Sequence, residues 1–136
     1  MRRPLVPAAL LVVVLAGCGA SRNAAYTAGP TAKCLVKKGF AGVSTDPLKV
    51  GFIAASADNG GLVAKAKSGN VLTIAFAADR QAAVSTEAAF RRRAPKSLRP
   101  HMSDIMESQR NAVLVWTVSP TSQELSDAES CLASGG

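Results

Sequence analysis

Groups able to carry acid–base chemistry are few in this sequence, and they lie close together between residues 101 and 107. Asp104 and Glu107 are three residues apart, a spacing that brings two carboxylates to one side of a helix. Such a pair could act as general acid and general base. His101, the only histidine, lies in a basic loop, and the segment around Ser103 is polar. These neighbours favour a solvated surface segment, so we predict no catalytic residue and no enzymatic activity.

The chain carries none of the short motifs that mark nucleophilic, nucleotide-dependent or metal-dependent chemistry. It lacks Gly-x-Ser-x-Gly, a phosphate-binding loop, a dinucleotide fingerprint and His-Glu-x-x-His. A four-ligand zinc site is short of ligands, because there is one histidine and no Cys-x-x-Cys pair. We therefore predict neither a cofactor nor a metal site. A hydrolase that uses Ser103, Asp104 or His101 is the enzymatic alternative.

The three cysteines divide into one near the start of the chain and two at opposite ends of the predicted folded part. Cys34 and Cys131 are predicted to lie on inward faces of the first and the last helix. An even pair in an exported domain favours a disulfide, which would tie these two helices together over the sheet. The alternative is two buried free thiols.

The third cysteine, Cys18, follows an apolar segment that begins just after Arg2 and Arg3. A charged start, an apolar core and small residues form the pattern of an export signal. As a helix, residues 5–15 would span roughly 16 Å, well short of the ~30 Å hydrocarbon core, which argues against a transmembrane helix. The run Leu15-Ala16-Gly17-Cys18 resembles the lipobox of bacterial lipoproteins.

This resemblance implies a diacylglycerol on the Cys18 thiol, palmitate-type acylation, cleavage before Cys18 and a lipid anchor on the extracytoplasmic face of the cell membrane. The chain then divides into a signal peptide (1–17), a flexible tether (18–29) and a single globular α+β domain (30–136). The alternative is an ordinary signal peptide cut after Ala20, which would discard Cys18. The mature domain also resembles small uncharacterised exported proteins of high-GC bacteria.

The charge balance is basic, with 16 Lys and Arg residues against 9 Asp and Glu residues and a net charge of +7. An exported protein does not normally meet nucleic acid, so we predict no nucleic-acid partner. Anionic lipid headgroups, cell-wall polymers or an acidic partner fit a cationic exported surface better. Aromatic residues make up only 4% of the chain, which gives little support for a stacking platform.

Basic residues concentrate at the end of one predicted helix and in the loop after it. Cations at this place complement the carbonyls and dipole of a helix C-terminus, so a solvated helix end is one interpretation. The other is a contact site for an anionic ligand, a lipid headgroup or a cell-wall polymer, with Lys33, Lys37 and Lys38 adding to it. We call this set the arginine cluster; it comprises Arg91, Arg92, Arg93, Lys96 and Arg99, with His101 beside it.

Hydrophobic periodicity and turn residues predict an α+β two-layer sandwich. Its antiparallel sheet has about five strands, its helices lie on one face, and its elements follow the order α-β-β-β-α-β-β-α. Asp79 is the predicted N-cap of the middle helix, which should end before Pro95. Thr121 and Glu124 match the capping box of the last helix. Strands are predicted at residues 50–56, 62–67, 72–77 and 112–119, a short strand or a loop at 104–110, and helices at 30–38, 79–93 and from 121 onward.

These observations together predict a membrane-anchored extracytoplasmic lipoprotein that acts as a non-enzymatic interaction or envelope-associated protein. Its membrane contact would be the lipid on Cys18. The alternative is a binding module for an anionic ligand through the arginine cluster. Neither the motifs nor the composition indicate a protein partner.

Overall fold

A five-stranded antiparallel sheet forms the centre of the computed structural model, which describes residues 24–135. The lipobox, Cys18 and the cleavage sites before Cys18 and after Ala20 lie outside these residues. The strands follow the spatial order β1-β2-β3-β5-β4. They are β1 (Ala41–Ser44), β2 (Gly61–Lys65), β3 (Val71–Phe76), β4 (Met106–Gln109) and β5 (Ala112–Trp116). The helices are α1 (Ala28–Lys37), α2 (Phe52–Ala55), α3 (Arg80–Arg93), α4 (Met102–Ile105) and α5 (Ser122–Cys131).

The predicted α+β class, the five antiparallel strands and the order of the main elements are confirmed. The predicted helix caps are confirmed as well. The Asp79 carboxylate accepts a hydrogen bond from the backbone N–H of Ala82 at 2.8 Å. Thr121 and Glu124 form the reciprocal capping box that opens α5. The middle helix ends at Arg93 because Ala94, which precedes Pro95, adopts an extended backbone.

The first predicted strand, at residues 50–56, is wrong, because this segment forms the short helix α2 and the first strand is β1. Val50, just before this helix, and Ala54 within it are both buried against Ala75. Gly61 makes this packing possible: a Cβ there would lie 2.7 Å from the Ala54 Cβ and the Ala54 carbonyl oxygen. The apolar residues of this segment therefore belong to a short helix that packs on β2, and they do not form a strand.

The prediction that all helices lie on one face of the sheet is also wrong. Leu62, Ile74 and Leu114 are register partners and share one face, which α1 and α5 cover. Ala75 and Val113 share the opposite face with Gly61, and α2 and α3 pack there. The central strands are apolar on both faces, so a single helical layer would leave one face open to water. The arrangement is three-layered, with helices on both sides of the sheet.

The segment just before α1 belongs to the fold, although the tether was predicted to reach Gly29. Tyr26 forms a β-bridge with Ser134, and the Thr27 amide donates to the Ala133 carbonyl at 2.9 Å. The helix begins at Ala28, and Pro30 lies in its first turn, where no intrahelical donor is lost. The folded domain therefore starts before residue 30.

The two ends of the sheet are chemically different, and each is organised by a buried asparagine. At the end we call proximal, Asn111 bonds to the backbone of Tyr26 and Ala77. At the end we call distal, the Asn70 side chain joins the β2–β3 turn to Thr117 and Val118. The strand register shows that these are opposite ends of the sheet, because Phe76 pairs with Ala112 at the proximal end and Leu72 pairs with Trp116 at the distal end.

The core lies mainly between the sheet and the α1–α5 pair. Cys34 on α1 and Cys131 on α5 have their sulfur atoms 2.02 Å apart, so the predicted pair has the geometry of a disulfide. Trp116 is only 2% exposed and belongs to the core. Within residues 24–135 the buried apolar side chains form two packed clusters, the larger of which includes residues of α1, α5 and the sheet.

Candidate anion-binding surface

The arginine cluster surrounds the C-terminal end of α3 at the distal end of the sheet. All five of its members are exposed. Arg93 and Trp116 line the same shallow apolar groove of about 330 Å³, which places the end of α3 beside the end of β5. The structure therefore brings the predicted residues together on one surface.

Arg99 and Arg93 are each held by a contact within the domain. The Arg99 guanidinium donates to the Ala94 carbonyl at 3.0 Å and to the Arg92 carbonyl at 3.1 Å, which satisfies carbonyls at the open end of α3. The Arg93 guanidinium carbon lies 5.0 Å from the centroid of the Phe52 ring on α2. Arg99 is thus a structural cap, and Arg93 links two helices.

Arg91, Arg92 and Lys96 are the members that project charge into solvent. None of them forms an ion pair with an acidic group within residues 24–135. Three neighbouring cations without acidic partners raise the local positive potential, which attracts anions within a Debye length of about 8 Å at physiological salt. Guanidinium groups match carboxylate and phosphate oxygens with two parallel hydrogen bonds. This geometry suits recognition of an anion better than a proton transfer.

A groove between α2 and α3 extends this surface with apolar contacts. Its volume is about 420 Å³, and Arg92 and Arg93 form part of its wall. Phe52, also in its lining, is 71% exposed, so its ring is available for contact with a ligand. Phe52 was not predicted to be a surface residue of this site, because residues 50–56 were predicted to form a strand. The glycine before it, Gly51 with φ of 84°, was the signal that the strand would not continue.

Other basic residues gather at the same end of the sheet. A Cβ at Gly39 would lie 3.1 Å from Lys67 Cε, so the end of α1 meets the β2–β3 turn here. Lys38 is paired with Asp127 at 3.3 Å, which offsets its charge. The exposed lysines that remain at this end are Lys37, Lys65 and Lys67.

The two carboxylates considered for acid–base chemistry are separated by the fold. Asp104 lies on α4, exposed, with its Oδ2 3.7 Å from His101 Nδ1. Glu107 lies on β4, where burial and the neighbouring Glu129 carboxyl raise its pKa to about 7. Asp104 and Glu107 therefore do not act on a common site, and the close carboxyl pair is Glu107 with Glu129.

Two further features of the described residues concern binding. Between residues 24 and 135, no three His, Cys, Asp or Glu side chains converge to hold a metal ion. Within the same range, no helix has both the length and the apolar character needed to cross a bilayer.

Comparison with known proteins finds no matching family model, no similar curated protein and no matching solved structure.

Proposed function

We propose that this protein is a lipid-anchored domain of the extracytoplasmic face of the cell membrane and that it acts by binding. The sequence Leu15-Ala16-Gly17-Cys18 behind a short apolar segment carries this proposal. The disulfide geometry of Cys34 and Cys131 supports it, because such pairs persist in oxidising compartments outside the cytoplasm. Lipidation of Cys18 would also leave these two cysteines as an even pair.

The anchor is tested with the full chain expressed in a bacterial host that is fed an alkyne analogue of palmitate. Wild type is expected to fractionate with the membrane and to carry the label. Cys18→Ser is expected to lose both properties while keeping the same fold. A wild-type protein that is unlabelled and released from the membrane, like the variant, would contradict the lipid anchor and favour cleavage after Ala20.

The second candidate function is capture of an anionic ligand by the arginine cluster. The observation that favours it is the exposure of Arg91, Arg92 and Lys96, which have no acidic partner among residues 24–135, next to the exposed ring of Phe52. Replacing Arg91, Arg92, Arg93 and Lys96 with glutamine is expected to weaken adsorption to isolated cell wall, and the weakening should shrink as salt rises. Unchanged adsorption would contradict this function.

A further inference from the structure

We propose that the arginine cluster faces away from the anchoring membrane and binds an anionic polymer that lies beyond the lipid surface. The inference rests on the proposed lipid anchor at Cys18 and deepens the second candidate function by naming the class of ligand. It follows from where the chain enters the domain and from where the positive charge lies.

The chain enters the domain at the proximal end. Asn111 bonds to the backbone of Tyr26, and the Arg110 guanidinium lies 4.5 Å from the centroid of the Tyr26 ring. Arg110 also donates to the Ala24 carbonyl. Residues 24–26 are thus fixed against the β4–β5 turn, at the end of the sheet where α3 begins.

The arginine cluster lies at the opposite end of α3. This helix has 14 residues, which at 1.5 Å per residue is a length of about 21 Å. A Cys18 anchor is six residues from Ala24, so the proximal end stays within about 22 Å of the lipid surface even with a fully extended link. When α3 lies along the membrane normal with its first residue towards the lipid, the cluster lies about 21 Å beyond the proximal end, which is more than two Debye lengths. At that distance the anchoring bilayer attracts the cluster only weakly.

The other exposed cations of the distal end favour a long ligand over a small anion. Lys65 and Lys67 lie at and just after the end of β2, and Lys37 ends α1. These side chains and the arginine cluster stand on separate elements around one end of the sheet. One phosphate or carboxylate cannot contact such a spread of charges, whereas a polymer with repeated anionic groups contacts several at once and gains affinity from each.

The test uses residues 18–136 coupled through the Cys18 thiol to a maleimide lipid in phosphatidylcholine vesicles. Cys18 is the reactive thiol because Cys34 and Cys131 are bonded to each other. The probes are fluorescent polyphosphate and fluorescent polygalacturonate, which separate phosphate from carboxylate recognition. The variant is Arg91→Gln/Arg92→Gln/Lys96→Gln, which spares the Arg99 cap and the Arg93–Phe52 contact. The matched control, Lys49→Gln/Arg80→Gln, removes charge from exposed positions elsewhere and is compared with Arg91→Gln/Arg92→Gln, which removes the same charge from the cluster.

The expected result is capture of at least one polymer by the anchored wild type, with affinity lowered about tenfold or more in the variant and within about twofold in the control. Equal capture by variant and control, or no capture of either polymer, overturns the proposal. A second arm adds phosphatidylglycerol to the vesicles. Capture within about twofold of the neutral vesicles is expected, whereas its loss shows that the cluster docks on its own membrane and overturns the outward orientation.

The outcome of this test does not depend on whether the cell attaches a lipid to Cys18. Because the lipid is attached in vitro, failure of polymer capture says nothing against lipidation of Cys18 in the cell. Conversely, absence of lipid on the cellular protein removes the premise of the orientation but leaves the measured affinity for the polymer intact.

Discussion

The Asn111 side chain forms hydrogen bonds to both polar backbone groups of Tyr26. The Asn111 Oδ1 accepts from the Tyr26 amide at 2.7 Å, and the Asn111 Nδ2 donates to the Tyr26 carbonyl at 2.9 Å. The same Nδ2 donates to the Ala77 carbonyl at 2.8 Å. Asn111 is 2% exposed, so water cannot replace these bonds. Together with the contacts of Arg110, this side chain fixes where the chain enters the domain.

Asn111→Ala is therefore expected to destabilise the domain by about 2–3 kcal/mol, because it removes three hydrogen bonds, two of them to the partly buried backbone of Tyr26. The measurement is the free energy of unfolding in urea. Asn59→Ala is the matched control, since Asn59 Nδ2 donates only to the Ala77 carbonyl, at 2.9 Å, and should cost about 1 kcal/mol. Equal losses in the two variants would contradict the role of Asn111 at Tyr26.

The contact between Arg93 and Phe52 predicts an energetic coupling between α3 and α2. An exposed cation–π pair contributes about 0.5–1 kcal/mol. A double-mutant cycle with Arg93→Gln and Phe52→Ala, read by urea unfolding, should return a coupling of this size. Strictly additive effects would show that the two side chains are neighbours without an energetic contact. Arg91→Gln with Phe52→Ala is the control cycle and should show no coupling.

The cysteine pair predicts a large response to reductant. Cys34 and Cys131 are 97 residues apart in the sequence, so their bond restricts the unfolded chain strongly. Reduction is expected to lower the free energy of unfolding by about 2–4 kcal/mol. The Cys34→Ala/Cys131→Ala variant should match the reduced wild type and should not respond to reductant. A wild type whose stability is the same with and without reductant would show that the bond does not form.

The Glu107–Glu129 pair predicts a stability that falls as pH rises from about 4.5 to 7. The pKa of Glu107 is raised from 4.5 to about 7 in the folded protein, so the folded state binds an extra proton in this window. Stability from this group is present below pH 4.5 and is lost by pH 7. Because Glu107 is partly solvated, we expect a loss of only about 1 kcal/mol. Glu107→Gln should flatten the profile in this window, measured by urea unfolding at a series of pH values.

The control for this prediction is Glu124, whose pKa is shifted in the opposite direction. Hydrogen bonds from Ser68 and from the Thr121 backbone lower its pKa. Its stabilising contribution is therefore lost as pH falls below 4.5, so Glu124→Gln should leave the slope between pH 4.5 and 7 unchanged. Parallel profiles for wild type and Glu107→Gln across that window would contradict the raised pKa of Glu107.

The parts of the fold that the sequence predicted are those set by local chemistry. The Asp79 cap, the capping box at Thr121 and the end of α3 before Pro95 each depend on residues within one turn of the chain. The cysteine pair was predictable because both residues lay on apolar helix faces. The arginine cluster was predictable as a surface because its members are close in sequence.

The parts that the sequence did not predict depend on contacts between distant residues. The turn at Phe52 is helical because Ala54 packs against Gly61, and an apolar run of this length fits a strand equally well. Asn111 and Asn70 looked like turn residues, yet both are buried where strands end. The roles of Arg99 as a cap and Arg93 as a link required the positions of other elements. The places of Asn70 and Asn111 at opposite ends of the sheet also follow only from the strand register.

The most direct test of the central claim is the intact mass of the full-length gene product purified from the membrane fraction, with and without reduction and alkylation. The account predicts a chain that begins at Cys18, carries the mass of a diacylglycerol, and takes up alkylating agent at Cys34 and Cys131 only after reduction. A chain that begins at residue 21 without lipid would contradict the anchor. Alkylation of two thiols before reduction would contradict the disulfide.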